Sequence, residues 1–296
     1  MNKQKTKIWL ALTPFLLALF MLSGCAAKNA PVWGDPQTGL ILQYQMPEGQ
    51  ELNYDSWEES YQVSDIMGRS IEVDVNSKNS FSVQSKGMKE NKHQLTITIL
   101  DMSLKVQSSQ ADLEPDMSSV VGKSFDMMLS SLGEESELKG AEEIKYEMGP
   151  EGERSIASTF QHIFPDLAGR PLQIGDTWPD ETTISEKSST GEVIIRISEE
   201  NTMDGFEVIN GMDCVRILSR YTGTLEGKGE QQGIETISKG DIKGTSTWYF
   251  AYKEGIFVKH INSGTAEGMI DVPSQGIEIP FTREMTSEIN LKKSNE

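Results

Sequence analysis

The spacing of apolar positions divides the chain into two regimes. An apolar run, interrupted only by Thr13 and Pro14, extends from Ile8 to Leu22 behind a basic start. From Leu40 onward apolar residues recur with a period of two between Gly- or Asn-rich breaks. A period of two is typical of strands that bury one face of a sheet. The second regime therefore predicts a mainly β fold, with one large, curved antiparallel sheet shaped like a half-barrel.

One predicted strand shows where the sheet bends. Apolar residues alternate from Leu95 to Ile99, and the parity then switches from Leu100 to Val106. Two adjacent apolar residues at 99–100 indicate a β-bulge or a change of face. Strongly curved sheets need such points, so this pattern favours curvature over a flat sheet.

Further short strands are predicted along the rest of the chain. They cover 123–129 and 134–139 with Gly133 at the turn, then 193–197, 206–209, 214–221, 247–252, 256–261, 269–272 and 277–291. A glycine-rich run, Gly223 to Gly233 around Lys228, lacks the GK[ST] ending of a phosphate-binding loop. We interpret this run as a mobile hairpin tip.

Residues 152–163 interrupt the β pattern. Ile156, Phe160 and Ile163 fall at helical spacing and Ser155 could cap the start, which predicts a short helix that covers the sheet. The following stretch, 164–178, contains two prolines and two glycines. It is expected to be a fixed crossover and not a helix.

The domain organisation follows from these patterns. A tether at 25–39 precedes a single β-rich domain at 40–292. Similar Gly-to-Gly spacings around 122–133 and 244–255 suggest two similar halves, 40–150 and 172–292, joined by 151–171. Such spacings also arise by chance in β proteins, so an undivided sheet is the alternative.

The apolar run at the start has the features of an export signal. It follows Lys3, Lys5 and Lys7, spans 15 residues and ends in Leu22-Ser23-Gly24-Cys25. A membrane-spanning helix needs roughly 20 apolar residues, so this run is too short to span a bilayer. A basic start, an apolar stretch and small residues at the cut are typical of a cleaved signal peptide, here residues 1–24.

The sequence Leu22 to Cys25 resembles the lipobox of bacterial lipoproteins. The resemblance implies that Cys25 becomes the lipidated first residue and carries two or three acyl chains, because one chain alone binds a membrane only marginally. The membrane is then a partner of this chain through the lipid on Cys25. The expected location is outside the cytoplasm. It is the periplasmic face of the outer membrane in a Gram-negative host, and otherwise the outer face of the cell membrane.

Charge narrows the possible partners. Removing residues 1–24 leaves 24 basic and 45 acidic residues, a formal charge of −21. Such a field repels phosphates, so no nucleic-acid partner is expected. The acids are dispersed along the chain, which is typical of a soluble exported domain. Recognition of a cationic partner is the alternative interpretation.

Three further motifs resemble a bacterial domain family of unknown function found in lipoproteins and exported proteins. They are Gly49 to Tyr54 followed by Gly68, the hairpin Gly122-Lys123-Ser124-Phe125 with Gly133-Glu134, and the crossover Pro171-Leu-Gln-Ile-Gly-Asp-Thr-Trp178. The resemblance covers roughly 40–292 and supports an exported β domain. The motifs consist of turn and core residues, so they transfer no catalytic role.

The sequence contains no pattern typical of catalysis or of cofactor binding. His93, His162 and His260 are isolated, and no Cys/His spacing suited to a metal occurs. Cys214 has no disulfide partner once Cys25 is acylated, and its apolar surroundings favour a packed strand thiol. We therefore predict no catalytic residue, no metal and no cofactor.

The remaining candidate for a binding site is a group of apolar residues. Aromatic and Met residues on neighbouring hairpins, together with Phe160 of the predicted helix, could line a cavity for an acyl chain or could form an ordinary core. The residues are Phe125, Met127, Leu129, Phe160, Trp248, Phe250 and Tyr252. The sequence thus predicts a non-enzymatic binding module for a hydrophobic ligand, lipid or lipoprotein. A structural or protein-interaction lipoprotein of the envelope is the alternative, and a hydrolase is a weaker one.

Overall fold

The structure is a computed structural model that describes residues 33–109, 112–149, 152–231 and 233–293. The apolar run and Cys25 lie outside these residues. The described strands are β1 Gly34–Asp35, β2 Gly39–Leu40, β3 Glu51–Ile66, β4 Arg69–Lys89, β5 Lys92–Ser108, β6 Asp112–Leu113, β7 Ser124–Ser130, β8 Glu135–Ser136, β9 Lys145–Glu147, β10 Glu153–Ser155, β11 Thr177–Ser188, β12 Gly191–Ile209, β13 Met212–Gln231, β14 Ile234–Ala251, β15 Ile256–Val272 and β16 Ile277–Leu291. One short α-helix, α1, spans Lys139–Glu143, and 3₁₀ helices span Met117–Ser119 and Ala157–Phe160.

The strands confirm the predicted fold class. Fourteen of them form one curved antiparallel sheet, a half-barrel, in the order β8-β7-β5-β4-β3-β16-β15-β14-β13-β12-β11-β10-β9, with β6 beside β5. Strands β3 and β16 are neighbours near the middle, so the first and last long strands join the two groups of hairpins into one surface. Internal duplication stays a prediction.

The predicted bend at 99–100 is confirmed as a β-bulge. Ile99 pairs with Phe81 and Asp101 pairs with Ser80, so Leu100 is the extra residue between them. The insertion turns the side chain of Leu100 outward, where it is exposed. Apolar residues before and after it therefore reach the same inner face, the face that carries the core.

The glycine-rich run is not a hairpin tip, and this interpretation was wrong. Gly223, Gly227 and Gly229 are paired residues inside β13, and only Gly233 lies in the turn. A Cβ at Gly223 would lie 2.3 Å from the carbonyl oxygen of Arg196 on β12. The glycines therefore permit the close strand approach of a strongly curled sheet. The strands continue through polar and glycine-rich sequence, which is why they are longer than predicted.

An aromatic ring takes the place of missing side chains on two of the inner-face glycines. Tyr221 of β13 pairs with Gly244 of β14, which pairs with Gly264 of β15. A Cβ at either glycine would lie within 2.3 Å of the Tyr221 hydroxyl oxygen. That hydroxyl donates a hydrogen bond to Asn262 Oδ1 at 2.9 Å, which fixes the ring across the glycines.

The predicted covering helix at 152–163 is a second correction. Residues Glu153–Ser155 form β10, which pairs with β9, and Ala157–Phe160 form a single 3₁₀ turn. The backbone turns away at His162, which has a positive φ of 59°, and Pro165 follows. Strand pairing before the segment and the turn after it leave too few residues for an α-helix. The segment 164–178 is a non-helical crossover, as predicted.

Part of the predicted tether is folded. Strands β1 and β2 pair across 34–40, and the Trp33 ring packs edge-on against Tyr252 with ring centroids 5.3 Å apart. Trp33 therefore rests on the domain. The described part of the chain contains no helix long and apolar enough to span a membrane.

Side chains block part of the exposed edge of β11. The Gln161 side-chain amide bonds the backbone of Ser185 through Oε1 at 3.1 Å and Nε2 at 3.5 Å. The Arg170 guanidinium donates to Thr177 O at 2.9 Å, and Pro179 has no N–H to offer. Unprotected edges recruit additional strands, so these contacts oppose edge-to-edge association.

The packing of Tyr221 gives a direct test of the curled sheet. We expect Gly264→Ala to reduce the free energy of unfolding by about 1–3 kcal/mol, because the new Cβ would overlap the Tyr221 hydroxyl. Chemical denaturation of the mature protein measures the loss. Gly205→Ala is the matched control, since the atom nearest its Cβ is 3.9 Å away. Equal effects of the two substitutions would contradict the packing.

Candidate functional site on the inner face of the sheet

The seven predicted cavity residues lie together in the core. Phe125, Met127 and Leu129 come from β7, Trp248 and Phe250 from β14, Tyr252 from the turn after β14, and Phe160 from the second 3₁₀ helix. All seven are buried in one hydrophobic cluster. The structure thus brings together residues from both predicted halves of the domain.

Two segments of the chain itself fill the space above these residues. We call them the covering segments, 40–46 and 156–172. Their buried side chains belong to the same cluster: Leu40, Leu42, Tyr44, Met46, Ile156, Ala157, Phe160, Ile163, Phe164, Leu167 and Leu172. A hydrophobic ligand would have to displace some of this packing, so whether the cluster ever opens as a cavity stays a prediction.

Hydrogen bonds attach the covering segments to the sheet and to each other. Leu40 and Leu172 exchange two backbone hydrogen bonds, each of 2.8 Å. The Tyr44 hydroxyl donates to Pro165 O at 3.0 Å, and the carbonyl of Tyr44 accepts from His93 Nε2 at 3.0 Å. Each covering segment is therefore tied both to the other segment and to a sheet strand or turn.

Two glycine turns allow the covering segments to approach closely. A Cβ at Gly133 would lie 2.3 Å from Pro165 O, and a Cβ at Gly255 would lie 2.6 Å from the Cβ of Gln45. Both glycines have positive φ, 106° and 68°, which favours glycine in any case. The motif glycine at 133 is therefore a docking point for the crossover.

The inner face becomes polar where the covering segments end. A row of opposed residues crosses five strands there: Trp178, Asn201, Ser219, Ser246 and Asn262. Ser219 donates a hydrogen bond to Asn201. Beyond this row, Tyr221, Ile242, Ala266 and Phe281 form a second, smaller apolar cluster.

Three carboxylates meet at this boundary. Asp180 of β11 lies directly opposite Glu199 of β12, and Asp166 belongs to the crossover. Desolvation is the main cause that raises the pKa of Glu199 and of Asp166 to about 7, and the charge of Asp180 adds to both shifts. None of the three has an ion pair with a lysine or arginine in the parts of the chain that the structure describes. We call Asp166, Asp180 and Glu199 the acid cluster.

A fourth acid has a structural role. Glu135 accepts hydrogen bonds from His162 N at 2.8 Å and Phe164 N at 3.0 Å, so its carboxyl group holds the start of the crossover. Burial raises its pKa to about 8 despite these bonds. Its position at the edge of the sheet explains why the crossover leaves the second 3₁₀ helix at a fixed point.

Sequence reasoning missed the acid cluster. Its three members are separated by 14 and 19 positions, in a chain where acids are frequent. Only the pairing of β11 with β12 and the path of the crossover bring them together. One sequence feature could have pointed to the acid cluster: Asp166 and Asp180 lie on either side of the GDTW motif of the crossover.

Cys214 and His260 are both packed against neighbouring side chains and are poorly placed for chemistry. Cys214 is buried, and burial raises the pKa of its thiol to about 11, which opposes thiolate formation. His260 stacks on Trp248 at 3.7 Å, and burial lowers its pKa to about 3. Within the described residues, no group of three or more His, Cys, Asp or Glu could hold a metal ion.

The described residues also form two open pockets. The larger, about 750 Å³, lies mostly over the outer face of β11–β15 and is lined by hydroxyls of Thr183, Thr222 and Thr265 with charged neighbours. The smaller, about 180 Å³, lies on the inner face near Gly227 and Gly229. Both are lined mainly by polar residues and lie apart from the seven predicted cavity residues.

Comparisons with known proteins leave the family open. No family model matches the sequence, and no curated protein does. Among solved structures, an exported protein with a YmcC-like fold from Bacteroides fragilis is 8% identical, covers 86% of this chain and 99% of its own, and has a TM-score of 0.26. The protein OccK5 (OpdH) of Pseudomonas aeruginosa is 9% identical, with coverages of 84% and 100% and a TM-score of 0.24.

A third solved structure belongs to a DUF1329 family protein from Desulfovibrio piger. It is 11% identical, with coverages of 82% and 87% and a TM-score of 0.15. Scores this low do not establish a shared fold. These likenesses therefore add nothing to the fold or the function argued from the residues themselves.

The raised pKa values predict how stability depends on pH. The folded protein holds protons on Glu135, Asp166 and Glu199 that the unfolded chain releases near pH 4, so stability must fall as pH rises from about 5 to 8. We expect a melting midpoint at least about 3 °C higher at pH 5.5 than at pH 8, the change that roughly 1 kcal/mol produces in a domain of this size.

Variants separate this effect from the general charge of the protein. Glu199→Gln should flatten the pH dependence because it removes one titrating member of the acid cluster. Glu200→Gln changes the neighbouring residue on the outer face and should leave the slope unchanged. If both variants flatten the curve equally, net charge and not the acid cluster controls the pH dependence.

Proposed function

We propose that this chain is a lipid-anchored lipoprotein of the cell envelope that docks a basic partner and has no enzymatic activity. The anchor is the lipid on Cys25, which the lipobox supports. It holds the protein outside the cytoplasm, on the periplasmic face of the outer membrane in a Gram-negative envelope and otherwise on the outer face of the cell membrane. The acid cluster is the docking site.

The observation that carries the docking proposal is that the acid cluster has no ion pair with a lysine or arginine among the described residues. Like charges directly opposite each other in a sheet are destabilising, and Asp180 and Glu199 occupy that arrangement. Asp166 adds a third carboxylate, whose pKa is raised to about 7 mainly by burial and secondarily by the charge of Asp180. The positive charge of a partner's lysine or arginine would replace the repulsion with attraction and offset the cost of desolvation, so binding would recover free energy that the isolated domain loses.

The sheet edge favours docking through side chains. The Gln161 amide occupies backbone groups of Ser185, and His162 donates to the backbone of Thr183. A partner strand would have to displace both contacts to join β11. A basic loop or helix that reaches the inner face next to Asp180 needs no such displacement.

A hydrophobic ligand is the second candidate function. The seven apolar residues named from the sequence do lie together, which is the observation in its favour. The covering segments fill the same space, so this function requires them to move. A hydrolase would need a reactive group near the acids. The raised pKa of Cys214 and the stacking of His260 make both poor nucleophiles or bases. The histidine beside Asp180 is His162, whose pKa burial lowers and whose ring donates to the backbone of Thr183.

Site-specific photocrosslinking in cells tests the docking proposal. A photoreactive residue at position 182 lies on the inner face beside the acid cluster, and one at position 183 lies on the outer face. We expect position 182 to give one dominant product in the membrane fraction, weakened by salt and lost in the Asp180→Asn, Glu199→Gln double variant. Position 183 is the matched control.

The docking site and the lipid anchor are contradicted by different results. A product that persists in the double variant, or that forms only from position 183, rules out docking at the acid cluster. Cys25→Ser tests the anchor separately, since we expect that chain to lose its lipid and its attachment to the membrane. A Cys25→Ser chain that is still processed and membrane-bound would overturn the anchor.

A further inference from the structure

Aromatic and apolar side chains gather at the end of the sheet where the described chain begins. Trp33 packs edge-on against Tyr252 with ring centroids 5.3 Å apart, and Phe206 also packs edge-on against Tyr252 at 6.0 Å. Lys253 Nζ lies 6.0 Å from the Trp33 ring centroid and 5.7 Å from that of Tyr252. We call Trp33, Phe206, Val208, Tyr252 and Lys253 the base patch.

The outermost members of the base patch are apolar and open to solvent. Phe206 is 43% exposed and Val208 is 63% exposed. Both precede the turn between β12 and β13, where Asn210 and Gly211 have positive φ and end the hairpin tightly. A single exposed apolar residue is ordinary, whereas a group next to interlocked aromatic rings and a lysine indicates a contact surface.

The length of chain before Trp33 identifies what covers this surface. Cys25 is eight residues before Trp33, and eight residues span at most about 29 Å when fully extended. If Cys25 carries the lipid, the base patch is held within that distance of the bilayer. Tryptophan, tyrosine and lysine are the residues that settle at membrane–water interfaces.

We propose that the base patch rests on the membrane surface, with Phe206 and Val208 inserted among the lipid headgroups. This inference rests on the lipid anchor of the proposed function. It adds an orientation, because the hairpin turns at 209–212 and 251–256 then face the bilayer. The turn at 66–69 and the end of the β13–β14 hairpin near Gly233 lie at the opposite end of the sheet and point away from it.

Charges around the base patch select neutral lipids. Lys253 pairs with Asp213, and Arg216 pairs with Asp204 at 2.7 Å and with Glu207 at 3.5 Å. With Glu254, four acids and two bases surround the apolar residues, so the local charge is negative. Contact with anionic headgroups is therefore opposed, and apolar burial is the driving force.

Depth measurements on the lipidated full chain test the orientation. A nitroxide on Val208→Cys, in protein purified from membranes and reconstituted in phosphatidylcholine vesicles, should be accessible to oxygen and protected from a water-soluble nickel complex. Met67→Cys is the matched control, because Met67 is 85% exposed in the turn at the opposite end of the sheet. Its label should remain accessible to nickel. The parent chain gives the background, since Cys214 is buried.

The outcomes separate this inference from the anchor. The mass of the N-terminal peptide reports the lipid on Cys25, and a chain without it overturns both the anchor and this orientation. A lipidated chain whose Val208 label is as accessible to nickel as the Met67 label overturns the orientation alone. Deeper immersion in anionic phosphatidylglycerol vesicles would contradict the role of the local charge.

Discussion

The fold depends on a continuous series of ring contacts between the sheet and the covering segments. Phe160 packs edge-on against Phe81 at 5.3 Å and against Phe125 at 5.2 Å. Tyr54 stacks between Phe81 and Phe257, and Phe164 and Tyr44 continue the series to Phe250. The contacts extend from β7 to β14 across the middle of the sheet. An open half-barrel cannot bury its inner face alone, so these rings supply the missing second layer.

The length of the strands explains why the inner face has two different environments. The covering segments bury only the part near the turns at 209–212 and 251–256. Beyond it, glycines let β12 to β15 curl closely enough for Tyr221 and Phe281 to pack over their backbones. The acid cluster lies at the boundary, where the crossover brings Asp166 to the sheet. The same crossover that completes the core thus creates the electrostatic conflict at the proposed docking site.

Local pattern was sufficient for the fold class and for the bulge at Leu100, because both follow from the alternation of apolar residues. It was insufficient for the strand lengths, because β13 continues through Gly223, Gly227 and Gly229 without an alternation of apolar residues. These glycines are needed in the strand because they let neighbouring backbones approach closely, and they give no burial pattern that a sequence could show. The helical spacing of Ile156, Phe160 and Ile163 was real, but strand pairing of Glu153–Ser155 took precedence over it. The signal at 22–25 lies outside the described residues and stays a prediction.

The candidate site was predictable only in its apolar part. Phe125, Phe250 and the other named residues converge because each is the buried member of an alternating strand. The acid cluster depends on contacts between positions 166, 180 and 199 that no short-range pattern encodes. The covering segments could not be predicted either. The apolar residues of 40–46 alternate as in a β-strand, but in the structure most of this segment has no partner strand.

The central claim is that the chain's own covering segments fill the interior as permanent core, and hydrogen exchange of the mature protein tests it most directly. The amide of Leu40 bonds to Leu172 O and that of Tyr44 bonds to Ser131 O. The account predicts that both exchange only through global unfolding, with the same free energy as the amides at the centre of β14. Exchange of Leu40 and Tyr44 through a lower-energy opening, while β14 stays protected, would show that the segments form a lid over a ligand space and would contradict it.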